Sequence, residues 1–492
     1  METDRRTPLR PGRFHGGLVL DGHKIAPHPD GLLVAPIPDQ LVIPVTQHLG
    51  EAASPCVSVG DQVKRGQPIT QGGSLVSAPV HASTSGEVVA IEDRPVPGVP
   101  TVSPLSIVIE PDGRDEPFPG MEGVADYREE PPHDLLDRVR RAGIVGLGGA
   151  AFPSHVKLNV PPSFSCDVLV LNGAECEPYI SCDMGLMCDR AEEVITGAQI
   201  MMFMLGVTRC LIAIERDKTD ALSAMKKVLE EEGDDRLELI AIDPVYPTGG
   251  EKQLIKVLLD REVPSGGLPI DVGCVCHNVG TAYAVKQAIV DGLPLVQRVV
   301  TVNGPGVRQP RNLLVRLGTP VRVLIEQCGG YADDVGRLLM GGSMMGIALS
   351  SDEVPVVKGC NCILALPSQE LRTLDDELPC IRCSNCALVC PASLLPQQLH
   401  WYAKADKLDR VQDYSIFDCI ECGCCDLVCP SHIPLAQTFR DAKADIWRRE
   451  WERQKSERAR ERFEQRERRL AQEREELAAR HRRREERRKR RK

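Results

Sequence analysis

Two cysteine runs in the last quarter of the sequence share one spacing. Each reads C-x2-C-x2-C-x3-C followed by proline, first in CIRCSNCALVCP (380–391) and again in CIECGCCDLVCP (419–430). Thiolates at this spacing bind four-iron, four-sulfur clusters, and the fourth cysteine of each run binds the cluster of the other run. The sequence therefore predicts two [4Fe-4S] clusters, the first held by Cys380, Cys383, Cys386 and Cys429, and the second held by Cys390, Cys419, Cys422 and Cys425.

Two zinc sites or a disulfide framework are the alternatives for so many cysteines. Zinc ligands usually come as two C-x2-C pairs set well apart, whereas here a triple followed by Cys-Pro occurs twice. Cys424 falls outside the spacing, so we predict that it is not a ligand. The remaining cysteines are scattered, as expected of small buried thiols in a reducing compartment, and the sequence assigns no role to Cys360 or Cys362.

The middle of the chain predicts the elements that would carry a second redox site. CDVLVLN (166–172), CLIAI (210–214) and LELIAID (237–243) are continuous apolar runs, which are typical of strands buried on both faces. Helical segments lie between them, one of them with Asp217 or Thr219 as a candidate N-cap and Gly233 as a stop. Alternating strands and helices predict a parallel α/β sheet, which binds ligands beyond the carboxyl ends of its strands.

Three loops of this region carry polar or glycine residues. GIVGLGGAAFPSHVK (143–157) would let backbone amides approach a phosphate, with a lysine adding charge. NGAECEP (172–178) follows a predicted strand directly, and YPTGGEK (246–252) is the third loop. Taken singly, each loop could be an ordinary turn or a solvated carboxylate. The candidate binding residues in these loops are Gly146, Gly148, Gly149, Lys157, Asn172, Glu175, Glu177, Tyr246, Gly249, Glu251 and Lys252.

Together, GLGGAAFPS, NGAECEP, YPTGGE and HNVGT resemble, in this order, the motifs of the NADH-oxidising flavoprotein subunit of respiratory complex I. The resemblance implies noncovalently bound FMN and a site for NAD(H). It implies that Glu177, Glu251 and Phe152 lie on the nicotinamide nucleotide side, with Glu177 and Glu251 as the candidate catalytic residues. It departs from the family pattern where Ala174, Gly250 and Gly280 stand in place of carboxylates. The resemblance further implies that FMN is surrounded by Gly146, Gly148, Gly149, Lys157, Asn172, Tyr246, Gly249 and Asn278. Glu175 is predicted to be a further cofactor-binding residue.

The N-terminal region has the pattern of a small all-β domain. From Leu32 to Ile109 short β-branched runs are broken by proline and glycine, which predicts a barrel or sandwich. VSVGDQVKRGQPI followed by VHASTSGEVVAI resembles the hammerhead of lipoyl and biotinyl carrier domains. The tip of that hairpin reads HASTSG and has no lysine. We therefore predict a structural copy without a prosthetic group.

The whole arrangement resembles the RnfC family, whose members belong to the Rnf complex, an ion-translocating ferredoxin:NAD⁺ oxidoreductase. Residues 298–331 resemble the β-grasp module of that family. The predicted fold is multidomain, with α/β, all-β and helical parts. Its predicted domains are a lipoyl-like barrel-sandwich (1–125), a complex-I-flavoprotein-like parallel α/β domain (126–296), a β-grasp module (297–365), a helical two-cluster ferredoxin domain (366–440) and a charged helical or disordered tail (441–492).

Charge is distributed unevenly along the chain. The net charge is −10, but residues 448–492 hold 21 Lys/Arg against 11 Asp/Glu. This composition predicts a solvated single helix, partly disordered, rather than a coiled coil. Its basic end could contact an anionic membrane surface or an acidic partner. The longest apolar stretch, 194–207, is too short to span a bilayer.

We expect a peripheral protein on the cytoplasmic face of the bacterial inner membrane. Its partners would be the other subunits of the complex and, indirectly, ferredoxin or flavodoxin; nucleic acid is not expected. A stand-alone NADH diaphorase and a non-enzymatic scaffold are the alternative functions.

Overall fold

The structure is a computed structural model that describes residues 11–29, 31–98, 102–120, 122–332, 334–370 and 377–490. The N-terminal part is a small β structure, as its short β-branched runs predict. A four-stranded antiparallel sheet has the strand order β2-β7-β6-β4, and β3 and β5 form a separate ribbon. The strands in chain order are β1 (Leu33–Val34), β2 (Leu41–Pro44), β3 (Ser54–Pro55), β4 (Gln62–Val63), β5 (Thr70–Gln71), β6 (Gly86–Asp93) and β7 (Leu105–Pro111).

The hairpin tip that would carry a modified lysine in a carrier domain is buried here. His81 is 1% exposed and Ser83 is 0% exposed. Gly143 of the next domain lies against the tip with φ +68°, and a Cβ on it would lie 2.3 Å from the Pro79 carbonyl oxygen and 3.1 Å from His81 Cε1. A side chain long enough to carry a prosthetic group has no room to extend from this tip.

The central unit is a four-stranded parallel sheet with the strand order β10-β9-β8-β11. The three predicted strands are found as β8 to β10; β11 was not predicted. Gly233 ends α5 as predicted, but Lys218, rather than Asp217 or Thr219, occupies the N-cap position. The elements are α1 (Pro132–Arg141), α2 (Ser154–Leu158), β8 (Val168–Gly173), α3 (Cys182–Asp189), α4 (Ala191–Leu205), β9 (Cys210–Glu215), α5 (Thr219–Glu232), β10 (Leu237–Ile242), α6 (Glu251–Leu259), β11 (Cys274–Asn278) and α7 (Val279–Ile289).

A mixed six-stranded sheet follows, with the strand order β1-β13-β12-β16-β14-β15. Its outer strand β1 pairs with β13, so one strand from the predicted N-terminal domain belongs to this third unit. The hydrophobic core runs from the central unit into this sheet without interruption. The elements are β12 (Gln297–Asn303), β13 (Arg311–Arg316), α8 (Val321–Gln327), β14 (Arg337–Met340), β15 (Ile347–Ala348) and β16 (Cys362–Leu366).

The carboxyl-terminal unit is helical, and both cysteine runs lie in it. Its first helices are α9 (Asn385–Leu388), α10 (Pro396–Lys404), α11 (Leu408–Asp413) and α12 (Cys424–Leu427). The last helix, α13 (Leu435–Lys489), has 55 residues, and its buried positions lie only between Leu435 and Ile446. The predicted tail is therefore a solvated helix as far as it is described. Within the described ranges, no helix is both long enough and apolar enough to cross a membrane.

An extended segment near the N-terminus, Gly12–Lys24, joins the central and carboxyl-terminal units, and we call it the strap. It bonds to the central unit through Leu18, whose amide and carbonyl pair with those of Tyr246 at 2.8 Å each. It bonds to the helical unit through the Gly17 amide, 3.0 Å from the Val389 carbonyl oxygen. The strap thereby fixes the cysteine-rich unit against the edge of the parallel sheet.

Candidate functional site

A crevice lies where β8 and β11 end side by side. Asn172 and Asn278 occupy paired positions at the carboxyl ends of these strands. Asn172 Nδ2 donates to the Gly249 carbonyl oxygen at 2.9 Å, which joins the second and third predicted loops. A Cβ on Gly148 would lie 3.4 Å from Asn278 Cβ, so the glycine-rich loop borders the same crevice. The structure thus brings together four of the predicted cofactor-binding positions.

The loop Gly143–Phe152, here called the glycine loop, presents free amides to solvent. The Gly146 amide donates to the Phe152 carbonyl oxygen at 2.8 Å, and the Leu147 amide donates to Thr281 Oγ1 at 3.0 Å. The next three residues, 148–150, are exposed, and within the described chain their amides make no hydrogen bond. Gly149 has φ +110°, a conformation that other residues rarely adopt. Consecutive free amides of this kind suit an anion such as a phosphate.

Lys157 and Glu251 form an ion pair at the same edge of the sheet. Lys157 Nζ also donates to the Cys276 carbonyl oxygen at 3.0 Å. Glu251 is the first residue of α6, where a carboxylate is favoured by the amides of the helix N-terminus. Both side chains are about one-third exposed, so an incoming ligand could exchange partners with either of them.

The side chain of Glu175 does not face the crevice, although the sequence predicted that it would contact the ligand. Its carboxylate accepts from the Asp183 amide at 2.8 Å and the Met184 amide at 3.3 Å, and so binds the first turn of α3. The side chain of Asp183 instead reaches the crevice, where its Oδ2 accepts from Asn278 Nδ2 at 2.5 Å. Burial, followed by the nearby Glu175 carboxylate, raises the pKa of Asp183 to about 7. A carboxyl group thus stands beside Gly280, one of the positions where the family pattern has glutamate.

Glu177 and Tyr246 lie together on the side of the crevice that faces the cysteine runs. Glu177 Oε1 accepts from the Met344 amide at 2.8 Å and from the Met345 amide at 2.9 Å. Burial raises the pKa of Glu177, and the hydrogen bonds from these two amides oppose the rise. The Tyr246 hydroxyl donates to the Cys422 carbonyl oxygen at 2.7 Å. These contacts connect the crevice directly to the second cysteine run.

The cysteines surround two separate cavities in the predicted sets, and none of the 20 cysteines forms a disulfide. One cavity is lined by Cys380, Cys383, Cys386 and Cys429, and the other by Cys390, Cys419, Cys422 and Cys425. Four sulfur atoms around one small cavity fit a [4Fe-4S] cluster. Cys383 of the first set is exposed, whereas Cys390, Cys422 and Cys425 of the second set are buried. The second cluster site is therefore the more internal of the two.

Cys424 also borders the second cavity, but the chain holds it differently from the predicted ligands. Each run has a left-handed residue after its second cysteine, Ser384 in one and Gly423 in the other. By this correspondence Cys424 matches Asn385, which is not a cysteine. Cys424 is 0% exposed and packs with Tyr246 and Met344. A hydrogen bond with Cys422 is the first cause that raises the pKa of Cys424 and lowers the pKa of Cys422.

We expect Cys424→Ser to keep both clusters, because serine fits this position and can still donate to the Cys422 sulfur. The measurement is iron per chain after anaerobic purification. Cys425→Ser, one residue further along the same helix, is the matched control and should lower iron from about eight to about four atoms per chain. Loss of half the iron in Cys424→Ser would show that Cys424 is a ligand.

Several residues at the site carry no recognisable sequence signal. Lys24 of the strap donates to three carbonyl oxygens of the loop that carries Glu177, at 2.5, 2.7 and 2.6 Å. Asp183 lies in a short apolar helix, and Arg298 and Lys358 belong to the third unit. Each acts on a loop distant from it in sequence, so no local pattern could reveal it.

The fold and the site together define an electron-transfer protein with an FMN-binding domain and an iron–sulfur domain. The sequence matches the RnfC barrel sandwich hybrid domain over residues 12–114 and the Nuo51 FMN-binding domain over 139–287. It also matches the SLBB domain over 299–348 and the 4Fe-4S dicluster domain over 378–433. The cofactors predicted from the motifs, FMN and [4Fe-4S] clusters, are confirmed by these matches.

The chain belongs to the RnfC family of ion-translocating oxidoreductase complexes. It is 44% identical over 358 residues to the RnfC protein of the proton-translocating ferredoxin:NAD(+) oxidoreductase complex of Clostridium ljungdahlii, covering 73% of this chain and 77% of that protein. It is 44% identical over 466 residues to the RnfC protein of the ion-translocating oxidoreductase complex of Pseudomonas aeruginosa, covering 95% of this chain and 60% of that protein.

The RnfC protein of Vibrio cholerae matches at 44% identity over 465 residues, which cover 94% of this chain and 59% of that protein. The chain thus spans about three-fifths of the length of the last two relatives. A solved structure, the NAD⁺-reducing [NiFe]-hydrogenase in the H₂-reduced state, matches 65% of this chain and 61% of that chain at 16% identity, with a TM-score of 0.45.

Proposed function

We propose that this chain takes electrons from NADH and passes them to other subunits of a membrane-bound ion-translocating ferredoxin:NAD⁺ oxidoreductase complex. FMN and two [4Fe-4S] clusters would be its cofactors. The observation that carries the proposal is the 2.7 Å hydrogen bond from Tyr246, at the edge of the crevice, to the carbonyl oxygen of Cys422, a predicted cluster ligand. The hydrogen bond joins the nucleotide crevice of one domain to the cluster site of another. Such direct contact is suited to electron transfer within one chain.

The residues at the crevice would each have a defined task. Bound FMN supplies the chemistry that divides the two electrons of a hydride into single electrons. The exposed amides of residues 148–150 would bind its phosphate, and Asn172 and Asn278 would contact it at the strand ends. Glu251, paired with Lys157 at the rim, would orient the nicotinamide nucleotide. The buried core beneath β8 and β11 keeps this edge of the sheet rigid.

The contacts of Glu177 support a structural role for this residue rather than binding of the nucleotide. Its carboxylate holds the turn that contains Met344 and Met345, and a Cβ on Gly423 would lie 3.0 Å from the Met344 carbonyl oxygen. Glu177 would therefore position the loop of the second cluster. We propose the electron order NADH, FMN, the cluster of Cys390, Cys419, Cys422 and Cys425, and then the cluster of Cys380, Cys383, Cys386 and Cys429. The exposure of Cys383 supports an exit from that last cluster to a partner.

The partners and the location follow from the same proposal. Other subunits of the complex would receive the electrons and carry out ion translocation, with ferredoxin or flavodoxin as a more distant partner. The chain would be peripheral on the cytoplasmic face of the bacterial inner membrane. The basic end of α13, with Arg487, Arg488 and Lys489 in its last turn, supports contact with an anionic membrane surface. We also propose that the third unit is a β-grasp module. The predicted boundaries of all the domains stay predictions.

Absorption spectra of the anaerobically purified, full-length protein test the proposal. We expect flavin and iron–sulfur absorbance together, and NADH should bleach the flavin band and then reduce the clusters. Acid precipitation should release FMN into the supernatant, because the crevice offers noncovalent contacts. Flavin that stays in the pellet would contradict noncovalent binding, and flavin that NADH does not bleach would contradict the proposed function.

A further inference from the structure

Two buried cations lie behind the glycine loop. Lys358 is 0% exposed and Arg298 is 5% exposed. Lys358 Nζ donates to the carbonyl oxygens of Gly143 and Pro79, both at 2.7 Å. Arg298 Nη2 donates to the Leu147 carbonyl oxygen at 3.0 Å, and Arg298 Nη1 donates to the carbonyl oxygen of Lys358. The two side chains therefore hold both ends of the segment Gly143–Leu147 from its inner side.

Both cations come from outside the FMN-binding domain. Arg298 lies on β12, and Lys358 lies in the segment that leads into β16 of the third unit. Lys358 is further fixed by its own amide, which donates to Gln47 Oε1 of the barrel-sandwich at 2.9 Å. The glycine loop is thus held by residues of two neighbouring units, although its own sequence belongs to the central one.

Neither buried cation has a carboxylate at ion-pair distance in the described chain, although Arg298 lies near enough to Asp183 to oppose the rise of its pKa. The acceptors of Lys358 and Arg298 are backbone carbonyls. Burial lowers the pKa of Lys358 to about 7, as expected where a charge is desolvated without compensation. A buried cation is costly unless an opposite charge lies near it. For Lys358, an anion bound at the loop would supply that charge.

The outer side of the same loop is prepared for an anion. The amides of residues 148–150 are exposed and make no hydrogen bond in the described chain, and they begin one residue after the carbonyl that Arg298 holds. Positive charge behind the loop and free amides in front of it both favour one negatively charged group. Among the chemical groups of FMN, the phosphate is the one that carries such a charge.

We propose that Lys358 and Arg298 are positioning residues for the phosphate of FMN, and that they make this chain select FMN over riboflavin. The inference rests on the proposed function, because it requires flavin at the crevice. It goes beyond that function by assigning phosphate selection to residues of the third unit. The cations act through the loop, by fixing its carbonyl ends and by adding positive potential, and they need not contact the ligand.

The test compares binding of FMN and riboflavin to the flavin-free, full-length chain with both clusters present. The variants are Lys358→Met and Arg298→Gln. Arg322→Gln, a surface arginine of the same unit that pairs with Glu353 at 2.9 Å, is the matched control. We expect each test variant to weaken FMN at least about tenfold, as for loss of a charge-assisted interaction, while riboflavin affinity changes less than about threefold. Arg322→Gln should leave both affinities unchanged.

Equal losses for FMN and riboflavin would show a general structural role and overturn the inference, as would no loss for either ligand. Should Lys358→Met fail to fold, judged by iron content and circular dichroism, Arg298→Gln gives the same comparison. Arg298→Lys keeps the charge and should retain more FMN affinity than Arg298→Gln. Wild-type protein that binds neither flavin would instead contradict the proposed function, and the inference would fall with it.

Discussion

Cys422→Ser should leave flavin reduction by NADH intact and stop electron transfer beyond the flavin. The substitution removes a thiolate of the more internal cluster site, so iron should fall to about half. The Tyr246 hydroxyl bonds the backbone carbonyl of Cys422, not its side chain, so the contact with the crevice should survive. Stopped-flow mixing with NADH should show prompt bleaching of the flavin band. A one-electron acceptor from a partner subunit, added to the same mixture, should stay oxidised.

Cys56→Ser is the matched control, since Cys56 is an exposed cysteine of the barrel-sandwich. It should keep full iron content and full electron transfer. The proposed order of carriers would be refuted by a Cys422→Ser protein that is folded and retains FMN but is no longer bleached by NADH.

Glu251→Ala should slow flavin bleaching by NADH about 10- to 100-fold, the range expected when a reacting ligand is poorly oriented. The change removes the carboxylate at the start of α6 and leaves Lys157, among the residues that the structure describes, with the Cys276 carbonyl oxygen as its acceptor. Dithionite should still reduce both clusters, because every predicted ligand lies in the carboxyl-terminal unit. The measurement is the rate of bleaching over a range of NADH concentrations, compared with the dithionite end point.

Glu262→Ala serves as the control for this effect. Glu262 lies just after α6 and pairs with Lys256 of that helix at 3.0 Å, and its side chain is 78% exposed. Its loss should leave the bleaching rate unchanged. An unaltered rate in Glu251→Ala would mean that Glu251 does not face the nicotinamide nucleotide.

The parts of the site that follow from the sequence are those whose chemistry depends on local spacing. The cysteine runs predicted two groups of four cysteines, and the structure places each group around its own cavity. The apolar runs predicted three of the four parallel strands. β11 was missed because CVCHN is short and leads directly into a helix. The position of Glu177 could not be predicted, because its partners Met344 and Met345 lie on a turn 167 and 168 residues away.

The contacts between buried cations of the third unit and the glycine loop could not be predicted from the sequence either. Lys358 lies in an apolar segment, VPVVKGC, which gives no reason to connect it to a loop more than two hundred residues earlier. The sequence predicted Lys157 as a cation near the phosphate, and this stays a prediction; the structure pairs Lys157 with Glu251. Only the packing of three units around the glycine loop shows which cations stand behind it.

The strap has a consequence for how this chain matures on the ribosome. His15 Nδ1 donates to the Cys390 carbonyl oxygen at 3.0 Å, across 375 residues of sequence. At a synthesis rate of about 5–20 residues per second, the strap emerges roughly 20–75 s before its partner. Domains generally fold as units from the N-terminal end, so the three earlier units can form while the strap still lacks its last docking surface. Strap closure is then a late maturation step, because the segment around Cys390 must be synthesised before the strap can bind to it.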